Sequence, residues 1–160
     1  MNKKEKIIYC AGIVDGEGYV AIKKTQYKGH CPSPTYHERI QIRMIDEKVI
    51  SFFKGLFGGN YYREKSNCNG NPLYCYQASD LKAYKICKIL LPYLIIKKEN
   101  AKRIIMLRKS KNTIKPEQRG SNQGRRMAQE VLDYREKLYQ LCKKGGDLEG
   151  GQVKTLYKQK

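Results

Sequence analysis

The sequence is poor in acidic residues and contains no tryptophan. Its 160 residues include 33 Lys and Arg but only 15 Asp and Glu, which gives a net charge of +18 at pH 7. No apolar run reaches the roughly 18 residues that a membrane span needs, and the amino-terminal segment MNKKEKIIYC has too short an apolar part for a signal peptide. We therefore expect an intracellular protein with no membrane partner and no small-molecule substrate. Its excess positive charge is expected to bind a polyanion, and a membrane surface is the competing interpretation.

Close cysteine pairs are also missing. The six cysteines are too far apart for the paired ligands of a zinc finger, and a reducing compartment does not favour a disulfide framework. A zinc site remains an alternative only if it combines residues of separate loops, namely His30, Cys31, His37, Cys68 and Cys75. The many Lys, Ile, Tyr and Asn residues are typical of an A+T-rich genome. This composition is compatible with two locations, an organelle (chloroplast or mitochondrion) or a bacterial or phage cytoplasm.

Helical and strand patterns alternate along the chain. A helical pattern over Lys4 to Val14 stops at two glycines, and a strand pattern over Tyr19 to Tyr27 follows. The later elements are expected to be a strand at 38–44, a helix with Asp46 as N-cap ending at Gly58, a hairpin turning at 69–70, helices over 79–91, 97–109 and 124–141, a loop at 111–124, and a flexible polar tail at 145–160. We predict one α+β domain, 1–144, with the order αββαββα over about 4–109 and C-terminal basic helices within 97–144.

The two hairpins each have one apolar and one polar face. In ERIQIRM, for example, Ile40 and Ile42 point away from Arg39 and Gln41. Arg and Gln make bidentate contacts to guanine and adenine edges, and a two-stranded ribbon fits the major groove. In the last strand either Tyr74 and Tyr76 or Cys75 and Gln77 could lie on the polar face, and we take the tyrosines as candidates. The candidate DNA-binding residues are Lys23, Thr25, Arg39, Gln41, Arg43, Arg63, Lys65, Tyr74 and Tyr76.

The carboxyl-terminal half of the chain is the more basic one. Between Lys97 and Lys144 there are 15 basic and 5 acidic residues, a net +10. Such helices are expected to contact phosphates, which fixes position without reading sequence. For any single lysine an ordinary solvated helix face is the competing interpretation.

The stretch CAGIVDGEG, Cys10 to Gly18, places two carboxylates among three glycines at the end of the first helical pattern. Acidic groups are disfavoured at a helix carboxyl end, so a polar turn alone does not explain them. The stretch resembles the signature of the LAGLIDADG homing endonucleases, with Cys10 in place of the usual leading Leu. The predicted order of elements resembles that family's core, an antiparallel saddle-shaped sheet with helices on one face, over roughly residues 4 to 109.

The resemblance implies an active site at the end of the first helix. Glu17 and the carbonyl of Gly16 would bind Mg²⁺, with Mn²⁺ expected to substitute and Ca²⁺ to support binding only. Lys97 falls where the family has a basic catalytic residue. Asp46 falls where some members have Gln, so Asp46 is either a water ligand or only an N-cap. Ile50 falls where some relatives have Arg, so Lys48 or Lys98 substitutes or catalysis is slower. A single motif implies a homodimer, with Ala11, Gly12, Asp15 and Gly16 at its interface.

The resemblance therefore implies a site-specific, Mg²⁺-dependent endonuclease acting on double-stranded DNA. It would cut a long pseudo-palindromic site, leave short 3′ overhangs and promote the mobility of an intron. One alternative is a non-cleaving nucleic-acid binder of the same fold, either an RNA maturase or a DNA-binding regulator. A second alternative is a basic RNA- or ribosome-binding protein, for which neither dimerisation nor a metal is expected.

Overall fold

The computed structural model describes residues 1–26, 32–64, 70–120 and 124–144. Helices and strands alternate along these residues in the order αββαββα, which confirms the predicted core, and further helices follow. The elements are α1 (Lys3–Glu17), β1 (Gly18–Thr25), β2 (Thr35–Met44), α2 (Glu47–Phe57), β3 (Asn60–Glu64), β4 (Leu73–Ser79), α3 (Asp80–Leu90), α4 (Lys98–Thr113), a short 3-10 helix (Pro116–Gln118) and α5 (Gln129–Lys144).

The four strands form one antiparallel sheet in the order β1-β2-β4-β3. β1 and β2 form a hairpin in which Gly18 faces Ile42, and β4 lies on the other side of β2, where Ile42 faces Tyr76. Directly opposed residues of an antiparallel pair share a face of the sheet. The register therefore assigns each strand residue to one of two faces.

The two faces of the sheet differ in what covers them. We call one the covered face because its central side chains are buried in the core, and we call the opposite one the open face. The covered face carries Val20, Ile22, Ile40, Ile42, Tyr76 and Ala78. Burial of this apolar surface beneath the helices is the main source of stability for such a layer.

Helix α1 has well-defined ends. Asn2 and Glu5 form a reciprocal capping box, with the Asn2 side chain accepting from the Glu5 amide at 2.9 Å and the Glu5 carboxylate accepting from the Asn2 amide at 2.8 Å. At the other end the Gly18 amide donates to the Val14 carbonyl. A Cβ at Gly18 would lie 2.6 Å from that carbonyl oxygen, so only glycine lets the helix pass directly into β1. Glu17 is thereby fixed at the junction.

The core joins α1, α2 and α3 to the covered face and extends under α4 and α5. Phe53 of α2 packs on Tyr76 with ring centroids 5.6 Å apart, and the Tyr76 hydroxyl donates to the Gly58 carbonyl at 2.7 Å. Leu107 of α4 and Leu138 of α5 belong to the same buried cluster. The two carboxyl-terminal helices therefore complete the core.

Several predicted boundaries differ from the observed ones. α4 extends past Lys109 to Thr113, a 3-10 turn occupies part of the expected loop, and α5 begins at Gln129 rather than near 124. Residues 124–128 are not helical, and the expected tail at 145–160 lies outside the described residues. In the described part of the chain, none of the helices has the length and apolar character needed to cross a bilayer.

Candidate functional site

The carboxyl end of α1 is tied to the segment between α3 and α4. The Asp15 carboxylate accepts hydrogen bonds from two backbone amides of that segment, Ile95 at 2.7 Å and Lys97 at 2.9 Å. These two bonds hold the start of α4 against the end of α1. The predicted interface residue Asp15 therefore acts within its own chain in this structure.

Lys97 compensates the negative end of α1. Its Nζ donates to the carbonyls of Val14 at 2.9 Å and Asp15 at 2.8 Å, and lies 3.4 Å from that of Gly16. Burial lowers the pKa of Lys97, and the nearby charges of Asp15 and Glu17 offset part of that effect. An ammonium group at a helix carboxyl end interacts favourably with the helix dipole. The positive charge of Lys97 thus stabilises acidic residues at a helix end that otherwise disfavours them.

Glu17 and Asp46 lie at the same end of the sheet. Gly18 pairs with Ile42, so β2 continues beyond the start of β1 and passes the end of α1. Glu17 is exposed there, and so is Gly16. Asp46 caps α2 by accepting from the Lys48 amide at 2.8 Å, which confirms the N-cap interpretation. An additional role of Asp46 as a water ligand stays a prediction.

Ile50 fills the position at which some members of the resembled family have Arg. Ile50 is fully buried in the core, so its position supplies no functional group to the surface. Lys48 lines the same cleft as Asp46, together with Phe52. Lys98, the other predicted substitute, is exposed as the first residue of α4.

On one side of α1, two glycines have open space among the residues that the structure describes. Gly12 and Gly16 are exposed, and a Cβ at either would meet nothing within 4 Å. The placement of Ala11 beside them at an interface is wrong, because Ala11 is 1 % exposed and packs in the core of its own chain. Consecutive helical residues are 100° apart, so position 11 turns inward while position 12 faces out. The exposed apolar residues around this side are Ile8, Tyr9, Ile95 and Ile96.

The open face of the sheet carries a row of polar side chains. Arg39, Gln41 and Arg43 of β2 lie on it as predicted, because they alternate with the buried Ile40 and Ile42. In β1 the register also places Lys23 and Thr25 there. Five of the predicted DNA-binding residues therefore share this face.

Three of the predicted DNA-binding residues lie on the covered face instead. Tyr76 is fully buried, and Tyr74 packs on Tyr61 with ring centroids 6.4 Å apart. The register pairs Arg63 with Tyr74, so it shares that face. The alternative set of β4 residues, Cys75 and Gln77, occupies the open face. Lys65, the remaining candidate, lies outside the described residues.

Both arginines of the open face have acceptors. Arg39 Nη2 donates to Gln77 Oε1 at 2.5 Å, and Arg43 Nε donates to Glu64 Oε1 at 3.0 Å. The hydrogen bond to Glu64 is the main reason that the pKa of Arg43 is raised. The Tyr62 hydroxyl approaches Gln77 at 3.4 Å. Charged and amide groups are therefore held across neighbouring strands, an arrangement suited to planar polar partners.

A buried ionic cluster binds α4 to the covered face. Glu38 is fully buried; Arg108 Nη2 donates to its Oε2 at 3.0 Å and Lys111 Nζ at 2.7 Å. Arg108 Nε forms an ion pair with Oε1 at 2.9 Å. Arg103 and Arg135 are also buried. Some of the basic side chains expected to contact phosphates therefore form ion pairs or are buried inside the protein. The sequence contained a signal for the burial of Glu38, which is two residues from Ile40 in β2 and so shares its face.

No zinc site forms among the residues that the structure describes. They contain no group of three or more His, Cys, Asp and Glu side chains suited to a metal. His37 contacts Asp80 at 3.0 Å and Thr35 at 3.2 Å through its two ring nitrogens. The other loop residues of that alternative, His30, Cys31 and Cys68, lie outside the described residues, whereas Cys75 is buried in β4.

Comparison with solved structures identifies the fold. The homing endonuclease I-CvuI, crystallised with its target, has a TM-score of 0.70 and 16 % identity, over 93 % of this chain and 85 % of that one. The archaeal intron-encoded I-Vdi141I, complexed with DNA, has a TM-score of 0.70 and 14 % identity, over 94 % and 90 %. The LAGLIDADG homing endonuclease I-SmaMI, bound to cleaved DNA, has a TM-score of 0.63 and 17 % identity. The match covers 87 % of this chain but only 44 % of I-SmaMI.

No protein-family model matches the sequence, and no curated protein matches it either. The structural likeness comes at low sequence identity, so it concerns the arrangement of the backbone. The order of elements, the antiparallel sheet and the position of the motif helix all agree with it. The chain has the fold of the LAGLIDADG homing endonucleases.

Proposed function

We propose that the protein is a homodimeric, Mg²⁺-dependent, site-specific endonuclease of double-stranded DNA. It would recognise a long pseudo-palindromic site, cut both strands to leave short 3′ overhangs, and promote the mobility of an intron that encodes it. The observation that carries this proposal is the exposed Glu17 at the end of α1, beside Lys97 and on the same helix as the exposed Gly12 and Gly16.

The exposed side of α1 supports a dimer. Ile95 and Ile96 are 85 % and 75 % exposed, and Ile8 and Tyr9 more than 40 %. Soluble monomers rarely leave such aliphatic groups clustered in water. Gly12 and Gly16 share a helix side with Ile8, because the three are spaced four residues apart, and they would let a second α1 approach at backbone distance. A two-fold axis here would bring two Glu17 residues together, since an isologous interface pairs the same surface of both copies.

The lengths of the structural neighbours agree with this assembly. The chain spans 85 % of I-CvuI and 90 % of I-Vdi141I, but only 44 % of I-SmaMI. Two copies of this chain would therefore be needed to match the length of I-SmaMI. The DNA in these neighbouring complexes makes double-stranded DNA the polyanion that we assign to the open face.

The residues at the end of α1 fit a magnesium ion. A carboxylate and a backbone carbonyl are hard oxygen donors, which Mg²⁺ prefers, and Glu17 and Gly16 supply one of each per chain. The carbonyl of Gly16 makes the longest of the three Lys97 contacts, so it keeps acceptor capacity. When bound, the ion would supply charge neutralisation at the scissile phosphate and a more acidic attacking water.

The chain's own groups have separate parts in this proposal. Lys97, anchored by two α1 carbonyls, would hold positive charge beside the scissile phosphate and stabilise the charge that develops there. Asp46 would order a water at the neighbouring end of β2. The Arg and Gln side chains of the open face would read base edges in the major groove.

The first experiment is cleavage of a randomised double-stranded DNA library by the purified protein with Mg²⁺ or Ca²⁺. We expect cutting with Mg²⁺ at one long, nearly two-fold-symmetric sequence and binding alone with Ca²⁺. Glu17→Gln should abolish cutting, by roughly 100-fold or more, and retain binding. Glu117→Gln, which makes the same charge change on the exposed 3-10 helix, should cut normally. Sequencing of the ends reports the overhang.

A second variant tests the proposed dimer in the same experiment. Gly12→Glu should produce monomers in sedimentation and lose cleavage, whereas Gly55→Glu, at an equally open position of α2, should leave both unchanged. Specific binding without cutting in any divalent metal would favour the non-cleaving regulator. Selective binding to folded RNA would favour the maturase. A wild-type monomer that still cuts would contradict the proposed assembly.

A further inference from the structure

The open face carries a carboxylate that its positive charge does not explain. The described strands contain two acidic residues, of which Glu38 is buried on the covered face. Glu64, the other one, lies on the open face in the row beyond Tyr62. A carboxylate repels the phosphates on which DNA affinity mainly rests. Its presence on a surface for DNA therefore needs a purpose other than affinity.

Glu64 holds one specific cation. Its carboxylate accepts from Arg43 Nε at 3.0 Å, across the intervening strand β4. The Arg43 side chain is 53 % exposed and that of Glu64 22 %. The carboxylate is thus the more buried partner, while the guanidinium remains in contact with solvent. Because Glu64 engages Nε, hydrogens on the terminal nitrogens of Arg43 stay available to other acceptors.

Gln41 holds the same guanidinium from a second side. With its amide oxygen turned toward Arg43, Gln41 accepts from Nε at 3.2 Å and from Nη2 at 3.0 Å. Gln41 itself is only 7 % exposed, so it has little freedom to move. Arg43 is therefore oriented before any ligand arrives. Such preorganisation lowers the entropy lost when a planar partner binds.

We propose that Glu64 is a positioning residue that makes Arg43 read a guanine in each half-site. The proposal rests on the proposed DNA-binding function. The terminal nitrogens of an end-on guanidinium match the O6 and N7 acceptors of guanine. Without Glu64, Arg43 is free to swing toward a phosphate, a contact that adds affinity without reading sequence. Glu64 thus lowers the affinity for DNA in general and raises the discrimination between bases at one base pair.

The test compares binding-site selections from randomised double-stranded DNA in Ca²⁺, so that cutting does not interfere. Arg43→Lys should lose the guanine preference at one symmetric pair of positions, where the wild type discriminates roughly 10- to 100-fold. Glu64→Gln should lose discrimination several-fold at the same positions and at no others. It should also bind unrelated DNA more tightly than Glu117→Gln, which removes the same charge elsewhere on the surface.

The two proposals fail in different ways. If the wild type selects a defined site and Glu64→Gln selects it with unchanged discrimination, the positioning role is wrong and the endonuclease proposal stands. The positioning role is also wrong if Glu64→Gln changes positions other than those changed by Arg43→Lys. If the wild type selects no sequence at all, both proposals are overturned. Circular dichroism of each variant, recorded beforehand, establishes that it is folded.

Discussion

The two strand carboxylates, Glu38 and Glu64, occupy opposite faces of one sheet and differ in almost every respect. Glu38 is fully buried between Arg108 and Lys111 of α4, whereas Glu64 contacts the half-exposed Arg43 at the surface. A buried charge without partners costs several kcal/mol, while an exposed ion pair contributes about 1 kcal/mol or less. The comparison indicates that the first carboxylate stabilises the fold, whereas the second contributes little stability, which is consistent with the positioning role that we propose for it.

The largest expected effect is on stability at the covered face. Glu38→Gln should lower the free energy of unfolding by about 3 kcal/mol. It removes the buried counter-charge of two largely buried cations and leaves them only the half-exposed Asp80 carboxylate, 3.9 Å from Arg108 and 3.5 Å from Lys111. Urea denaturation followed by circular dichroism measures the loss. The side chains of Arg108 and Lys111 are only 15 % and 20 % exposed, so water compensates them poorly. A loss of less than about 1 kcal/mol would contradict the structural role.

A smaller effect is expected two residues along the same face, at the Lys24 and Tyr36 pair of the β1–β2 hairpin. Glu136 accepts from Lys24 at 2.8 Å and from the Tyr36 hydroxyl at 2.5 Å. Burial raises the pKa of Glu136, but its hydrogen bonds with Lys24, Tyr36 and Gln140 outweigh burial and lower the pKa to about 2.

The sign of the pH dependence follows from that lowered pKa. The folded state binds the proton more weakly than the unfolded state, so Glu136 contributes stability above its ordinary pKa of 4.5, and this contribution is lost as pH falls toward about 2. Glu136→Gln should therefore remove about 1 to 2 kcal/mol at pH 7, after allowance for solvent screening, and much less near pH 2. Urea denaturation of both proteins from pH 7 to pH 2 tests this. An equal difference at both pH values would contradict it.

Alternation predicted the open face well where only one assignment was possible. In β2 the apolar Ile40 and Ile42 leave a single polar set, and the structure places Arg39 and Gln41 as expected. In β4 both alternating sets are compatible with burial, since one contains tyrosines and the other a cysteine. Pairing with Ile42 and the hydroxyl contact to Gly58 bury Tyr76, and neither can be inferred from local sequence.

The motif predicted where the site lies but not how it is held together. Glu17 and Lys97 were identified through the family resemblance, and the structure brings the Lys97 ammonium to the helix end that carries Glu17. The bonds from Asp15 to the amides before α4 join residues about 80 positions apart, which no local pattern encodes. Ala11 was misplaced because a small side chain suits a close interface and a tight core equally well.

The smallest effect on stability is expected at Glu64. Glu64→Gln should change the free energy of unfolding by no more than about 0.5 kcal/mol, because its ion pair with Arg43 is screened by solvent and the side chain of Arg43 is 53 % exposed. Urea denaturation beside Glu38→Gln, in the same buffer, provides the measurement. If Glu64→Gln lost as much stability as Glu38→Gln, altered DNA selection could be ascribed to a loosened sheet. A near-zero loss together with relaxed selection leaves orientation of Arg43 as the explanation, because stability and recognition would then have been separated at two carboxylates of one sheet.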